Sequence, residues 1–244
     1  MKPLVLCYHA VSGAWHHALS VSAEALESQL ELLLRRGYRP VGAAEAATGG
    51  GKLLHVTFDD AFTSVRNAVP VLERLGVPGT VFACTGYADD PRPLAVPDLE
   101  DELRLHPDEL RTMSWDELRE LRERGIEVAS HTVSHPHLTA LSDDELRHEL
   151  GSSRRRLEDE LGRPCRLLAS PFGDCDGRVR EAARAAGYDA AFGLPGDATG
   201  RDRFDLFRVG VWHGDSAGRV ALKARPLVRS PLAMRLRVAL GLTS

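Results

Sequence analysis

Short apolar runs recur along this 244-residue chain, separated by stretches whose apolar positions fall at helical spacing. The runs at residues 4–8, 38–41, 53–58, 80–84, 126–130, 167–170, 190–192 and 207–211 have the length and composition of strands. Helix-start signals lie between several of them. Ser114 and Ser142 are each followed three residues later by a glutamate, Glu117 and Glu145, the pairing that satisfies free amides at a helix start. After the second pair, Leu146, Leu150, Leu157 and Leu161 form one apolar stripe that belongs against a core. Strands alternating with helices predict an α/β fold, a parallel sheet closed or wound between helical layers.

Two segments fall outside this rhythm. Residues 87–112, rich in Pro, Asp and Glu, interrupt the chain between a strand and the next helix, and a loop of that length serves as a lid, a binding loop or a disordered insertion. The α/β unit is therefore assigned to residues 1–215 as a single domain with this insertion, and residues 216–244 to a basic tail. In the tail, Ser230-Pro231 can open a helix in which Arg235 and Arg237 accompany Leu232, Leu236 and Leu240. Such a basic amphipathic helix can pack its leucines on the barrel or lie peripherally on an anionic membrane.

Composition narrows the class without naming a function. With 31 basic against 35 acidic residues the formal charge is −4, so the electrostatic footprint of a nucleic-acid binder is missing. Cys7, Cys84, Cys165 and Cys175 form no CxxC pair and are too few for a disulfide scaffold, which predicts reduced, mostly buried thiols. The chain opens directly on a strand-like run with no signal-peptide pattern, and no stretch reaches the roughly 18 apolar residues of a membrane span, so the expected location is cytoplasmic.

Two clusters carry chemistry. Val56-Thr57-Phe58-Asp59-Asp60 is an apolar strand that ends in two adjacent carboxylates, and neighbouring strand residues can share one site only where the strand ends and turns. That end is the C-terminal mouth of a parallel sheet, where α/β enzymes keep their active sites. An Asp-Asp turn capping the helix that starts near Thr63 is the competing reading. The second cluster, His131-Thr132-Val133-Ser134-His135-Pro136-His137, also follows an apolar strand. His131 and His135 can face the same way over one helical turn, and His137 competes with His135 as a ligand. Two imidazoles and one carboxylate make an open site for a divalent metal such as Zn²⁺, and the remaining carboxylate can act as a base toward water attacking an amide or ester.

With these residues the chain resembles the polysaccharide deacetylases of carbohydrate esterase family 4, over roughly residues 4–211. Thr57-Phe58-Asp59-Asp60 is similar to the family's first motif and His131-Thr132-Val133-Ser134-His135 to its second. The resemblance implies a distorted (β/α)7-type barrel, Asp59 as catalytic base, and Asp60, His131 and His135 as metal ligands. Ser170-Pro171-Phe172-Gly173 is similar to the third motif, which implies that Pro171, Phe172 and Gly173 line the substrate groove and that the Phe172 N–H supports the oxyanion. Where many members carry an arginine two residues before that proline this chain has Ala169, and Arg208 is a possible substitute. The usual Leu-x-His motif, which supplies the general acid, is missing near residue 213. Leu6-Cys7-Tyr8-His9 instead resembles the opening of a circularly permuted branch active on exopolysaccharide, which implies His9 as the acid, with His213 as the runner-up. Tyr8, Trp115 and Trp212 could stack on sugar faces or sit in the core.

The expected activity is metal-dependent removal of acetyl groups from N-acetylated sugars of a glycan, glycolipid or oligosaccharide. Two alternatives stay open: an amidase acting on a small cytosolic amide, and a carbohydrate-binding relative that has lost catalysis, motivated by the missing arginine and the displaced histidine.

Overall fold

The computed structural model describes residues 1–89, 92–194, 202–226 and 228. In chain order the strands are β1 (Leu4–Tyr8), β2 (Ala10–Val11), β3 (Ser20–Val21), β4 (Arg39–Pro40), β5 (Leu53–Phe58), β6 (Gly79–Ala83), β7 (Glu127–Ser130), β8 (Leu167–Ala169), β9 (Ala190–Gly193), β10 (Leu206–Phe207) and β11 (Val209–Gly210). The helices are α1 (Ala23–Arg35), α2 (Ala43–Thr48), α3 (Val69–Leu75), α4 (Glu100–Leu105), α5 (Trp115–Glu123), α6 (Asp143–Leu161), α7 (Gly177–Ala186) and α8 (Ala217–Lys223). Both serine–glutamate pairs form reciprocal caps, at the starts of α5 and α6.

The main sheet runs β10-β9-β8-β7-β6-β5-β1-β11, all parallel, with β4 paired to the start of β5. The single strand expected over residues 207–211 is in fact two. Leu206 and Phe207 pair with β9, while Val209 and Gly210 pair with β1, so one short segment bridges both edges and nearly closes the barrel. Arg208 sits at the changeover. Sequence periodicity could not show this, because both halves are equally apolar and the switch concerns partners.

Strand alternation sorts side chains between the barrel interior and the helical layer. Val5, Leu53, Phe82, Ala129, Leu167, Ala169, Ala190 and Phe192 pack together inside. Leu4, Leu6, Val56, Phe58, Val128 and Leu168 face outward, into a core shared with Leu26 and Leu30 of α1, Leu118 of α5 and Leu146, Leu150 and Leu157 of α6. By the same parity Cys7, His55, Thr57, Asp59 and Thr80 point inward and are buried, so polar groups share the barrel interior with this apolar cluster. His55 bridges the Val41 carbonyl (2.9 Å from Nδ1) and the Thr80 hydroxyl (3.0 Å from Nε2), and Thr80 lies 3.1 Å from Glu127 Oε2.

The insertion is packed rather than loose. Leu94, Val96, Leu99 and Leu110 are buried with Trp15, Phe62 and Tyr87 in a separate apolar cluster above the strand ends, and α4 lies within this segment. Helix α8 opens the region assigned to the tail, and Val220, Ala221 and Ala224 are buried in the main core. Arg36 and Tyr38 donate to the Ala221 and Ala224 carbonyls, so residues 217–224 belong with the barrel. The helix expected from Ser230 lies outside the described residues. Among the described residues no helix is long and apolar enough to cross a membrane, and all four cysteines are buried and free.

Candidate active site

The register of β5 against β1 carries one residue past the strand, where the Asp59 amide donates to the Tyr8 carbonyl at 2.9 Å. The backbone then turns sharply, with φ of 68° at Asp60 and 52° at Ala61. Left-handed backbone costs a non-glycine residue about 1–2 kcal/mol. That strain is what lets two adjacent carboxylates enter one site.

Asp60 Oδ1 lies 3.2 Å from His135 Nε2 and 3.5 Å from His131 Nε2. Burial pushes the Asp60 carboxyl up, but the two imidazoles hold it well below the ordinary carboxylate range. His131 directly follows β7, and its Nδ1 lies 2.8 Å from the Ala169 carbonyl. A carbonyl only accepts, so Nδ1 carries a proton, which leaves Nε2, on the Asp60 side, as the atom a metal would take. One donor atom from each of Asp60, His131 and His135 lies within 4.8 Å of the others. Asp60 and His131 are buried and His135 partly so, the set mixes carboxylate and imidazole, and one Asp60 oxygen has no hydrogen-bond partner, so it fits a divalent cation.

The two histidines do not meet over a helical turn as expected. Thr132 and His135 both have positive φ, 72° and 63°, and the intervening loop is irregular. Its shape is imposed by Glu149 of α6, whose carboxylate accepts from the Val133 amide (2.7 Å), the Ser134 amide (3.0 Å) and the Ser134 hydroxyl (2.7 Å). The His135 amide also donates to Thr132 Oγ1. Sequence reasoning missed Glu149, which is hidden on a helix between apolar positions. His137 is not brought to Asp60; its side chain is 61% exposed and stacks on Phe172 at 4.0 Å.

Arg208 is fully buried and grips Asp59 with two parallel contacts, 2.5 Å to Oδ1 and 2.8 Å to Oδ2. It also donates to Thr57 Oγ1 at 3.1 Å. Burial raises the Asp59 carboxyl, but Arg208, joined by His131 and His9, more than offsets it and leaves it below the ordinary carboxylate value. The guanidinium on Asp59 thus comes from the barrel seam, while the Ala169 carbonyl holds His131.

A cavity of about 300 Å³ opens above these groups, lined by His9, Asp59, Asp60, His131, His135, Phe172, Leu194 and Trp212. Leu94, Val96, Asp98 and Leu99 of the insertion and His17 to Leu19 of the N-terminal loop complete its wall. His9 follows β1, stacks on Trp212 at 5.5 Å, and is 8% exposed with Nδ1 unpartnered. Burial holds its pKa below the ordinary value, against the opposing charges of Asp60 and Asp59. His213 is elsewhere, exposed, with Nδ1 3.3 Å from the Ser20 carbonyl. Tyr8 and Trp115 are core residues; Trp212 is the aromatic of the three that reaches the cavity.

Residues 171–173 form a tight turn after β8 in which Phe172 takes φ 58°. Its ring lies against His135 at 4.7 Å, edge to face. Gly173 has φ 74°, and a Cβ there would meet Leu194 at 2.6 Å, so this turn requires glycine.

A parallel α/β barrel with paired carboxylates and histidines buried at its C-terminal mouth is the layout of a hydrolytic enzyme. The sequence profile of the polysaccharide deacetylases matches residues 46–191, and the chain belongs to that family. Over 222 residues it is 23% identical to YxkH of Bacillus subtilis, provisionally named a polysaccharide deacetylase, covering 87% of this chain and 72% of that protein. Its fold is similar to that of a Streptococcus pyogenes deacetylase, PplD, solved with acetate (TM-score 0.74, 20% identity, 93% of this chain and 99% of that one). It is similar also to IcaB of Ammonifex degensii (TM-score 0.73, 26% identity, 91% and 96%).

Proposed function

We propose that this chain removes acetyl groups from N-acetylated sugars of a glycan, glycolipid or oligosaccharide, with a divalent ion, most simply Zn²⁺, held by Asp60, His131 and His135. The observation that carries this reading is the convergence of that triad, the Arg208-held Asp59 and His9 on one cavity. When bound, the ion supplies a Lewis acid that acidifies water and polarises the acetamide carbonyl.

The chain's own residues divide the remaining work. Asp59 is kept ionised by Arg208 and takes the proton from the attacking water. His9 faces the same cavity from β1 and hands a proton to the departing sugar nitrogen. The amide of Phe172 supports the developing oxyanion, in a turn locked by Gly173. Phe172, Leu194 and Trp212 give the cavity the apolar surface on which an acetyl methyl and a sugar face can rest.

Acetate release from N-acetylglucosamine oligomers and from small amides, measured beside metal content, tests this. Oligomers should be hydrolysed at one bound metal per chain, and Asp59→Asn or His9→Ala should each cost about 10²- to 10⁴-fold in rate while metal is retained. Hydrolysis of small amides alone would overturn the sugar reading. An inactive His213→Ala beside an active His9→Ala would reverse the assignment of the acid.

A further inference from the structure

Cys7, His9 and Asp59 form a second group of potential ligands, each offering an atom within 4.8 Å of the others. The three lie together at one end of the barrel: Cys7 is on β1, His9 comes just after that strand, and Cys7 pairs in register with Thr57, two residues before Asp59. Cys7 Sγ lies 3.4 Å from Asp59 Oδ2. His9 Nδ1 is buried and has no hydrogen-bond partner. The cavity ends on His9 and Asp59, with the fully buried Cys7 thiol directly behind them.

We propose that Cys7, His9 and Asp59 form a second, inhibitory site for thiophilic divalent cations such as Zn²⁺ and Cd²⁺, separate from the Asp60, His131 and His135 triad. One sulfur, one imidazole nitrogen and one carboxylate oxygen suit these ions, with a fourth position open to the cavity. Binding exchanges the Cys7 S–H bond for a metal–sulfur bond and releases that proton to solvent, with no change of oxidation state. Without a cation, burial and the Asp59 carboxylate hold the thiol protonated. Arg208 opposes occupancy, because its guanidinium already engages the Asp59 carboxylate at 2.5 and 2.8 Å. Among the described residues no arginine or lysine pairs with Asp60, so the triad fills first. The second site therefore fills only in metal excess, and by capturing Asp59 and His9 it stops the reaction. This inhibition rests on the roles proposed for those two residues; the binding itself does not.

Cadmium titration of the intact protein, followed by equilibrium dialysis and ultraviolet thiolate-to-cadmium absorption, reads binding without reference to activity. The wild type should take up a second equivalent as the charge-transfer band grows, while Cys7→Ala and Cys7→Ser should stop at one equivalent with no band. His135→Ala should lose the first equivalent and keep the band. In the deacetylation assay, removing the thiolate ligand should raise the zinc concentration that inhibits by on the order of tenfold or more. A wild type with no band, or a Cys7→Ala protein that keeps both the band and the same zinc inhibition, would overturn the second site. Absence of deacetylation with the band present would instead discard the proposed function and leave the site standing.

Discussion

His55 is a neutral imidazole locked inside the barrel, and that makes the fold sensitive to acid at a position remote from catalysis. Burial lowers its pKa from 6.5 to about 4, because charging it would place a desolvated cation between Val41 and Thr80. In the unfolded chain the group titrates normally. Between these two values the unfolded state binds a proton that the folded state refuses, so stability is complete above pH 6.5 and declines as pH falls toward 4. A shift of this size corresponds to about 3 kcal/mol over the whole window, and to about 2 kcal/mol between pH 6.5 and 5. Glu127 works the other way above its ordinary pKa, since burial raises its carboxyl and favours the protonated native form. The comparison must therefore be between variants. Urea denaturation of the wild type and of His55→Gln at pH 5 and pH 6.5 isolates the histidine: the wild type should lose about 2 kcal/mol more than the variant on acidification. Equal losses would refute the neutral histidine. A wild type that gains stability relative to the variant would mean that His55 is charged and coupled through Thr80 to an ionised Glu127.

Arg208→Met should destabilise the fold by about 3–5 kcal/mol by stranding the buried Asp59 carboxylate, and thermal unfolding of the single variant beside Arg208→Met/Asp59→Asn should show much of that loss recovered in the double variant. Glu149→Gln should weaken metal affinity about 10- to 100-fold by loosening the loop between the two histidines, with secondary structure unchanged by circular dichroism. His137→Ala should retain full metal occupancy by elemental analysis, whereas His135→Ala should lose it; the reverse result would exchange their assignments.

Most of the strands and both helix caps were legible because burial on both faces and capping chemistry leave local marks in the sequence. The paired carboxylates and clustered histidines were legible for a related reason: each group closes a strand, so proximity along the chain foreshadows proximity in space. Arg208 and Glu149 were harder, because their significance lies in partners far away in sequence. Arg208 could be suspected only from the vacancy at Ala169, and nothing local distinguished Glu149 from the other charges of α6. The shape of the histidine loop was misread because four-residue spacing suggests a helical turn, while a carboxylate from another element imposed a different path. Residues 87–112 carried no periodic pattern, yet their scattered leucines and valine found a common apolar cluster once the chain around them was in place.

The barrel seam ties folding to competence. The segment from Leu206 to Gly210 joins β9 to β1, the latter formed by almost the first residues of the chain, and Arg208 lies in the middle of that splice. Until the ring is joined, Asp59 stands at a strand end without its counter-charge, and an open barrel cannot hold it buried and ionised at once. The pairing that joins the two edges of the sheet is therefore also the one that delivers the Asp59 counter-charge.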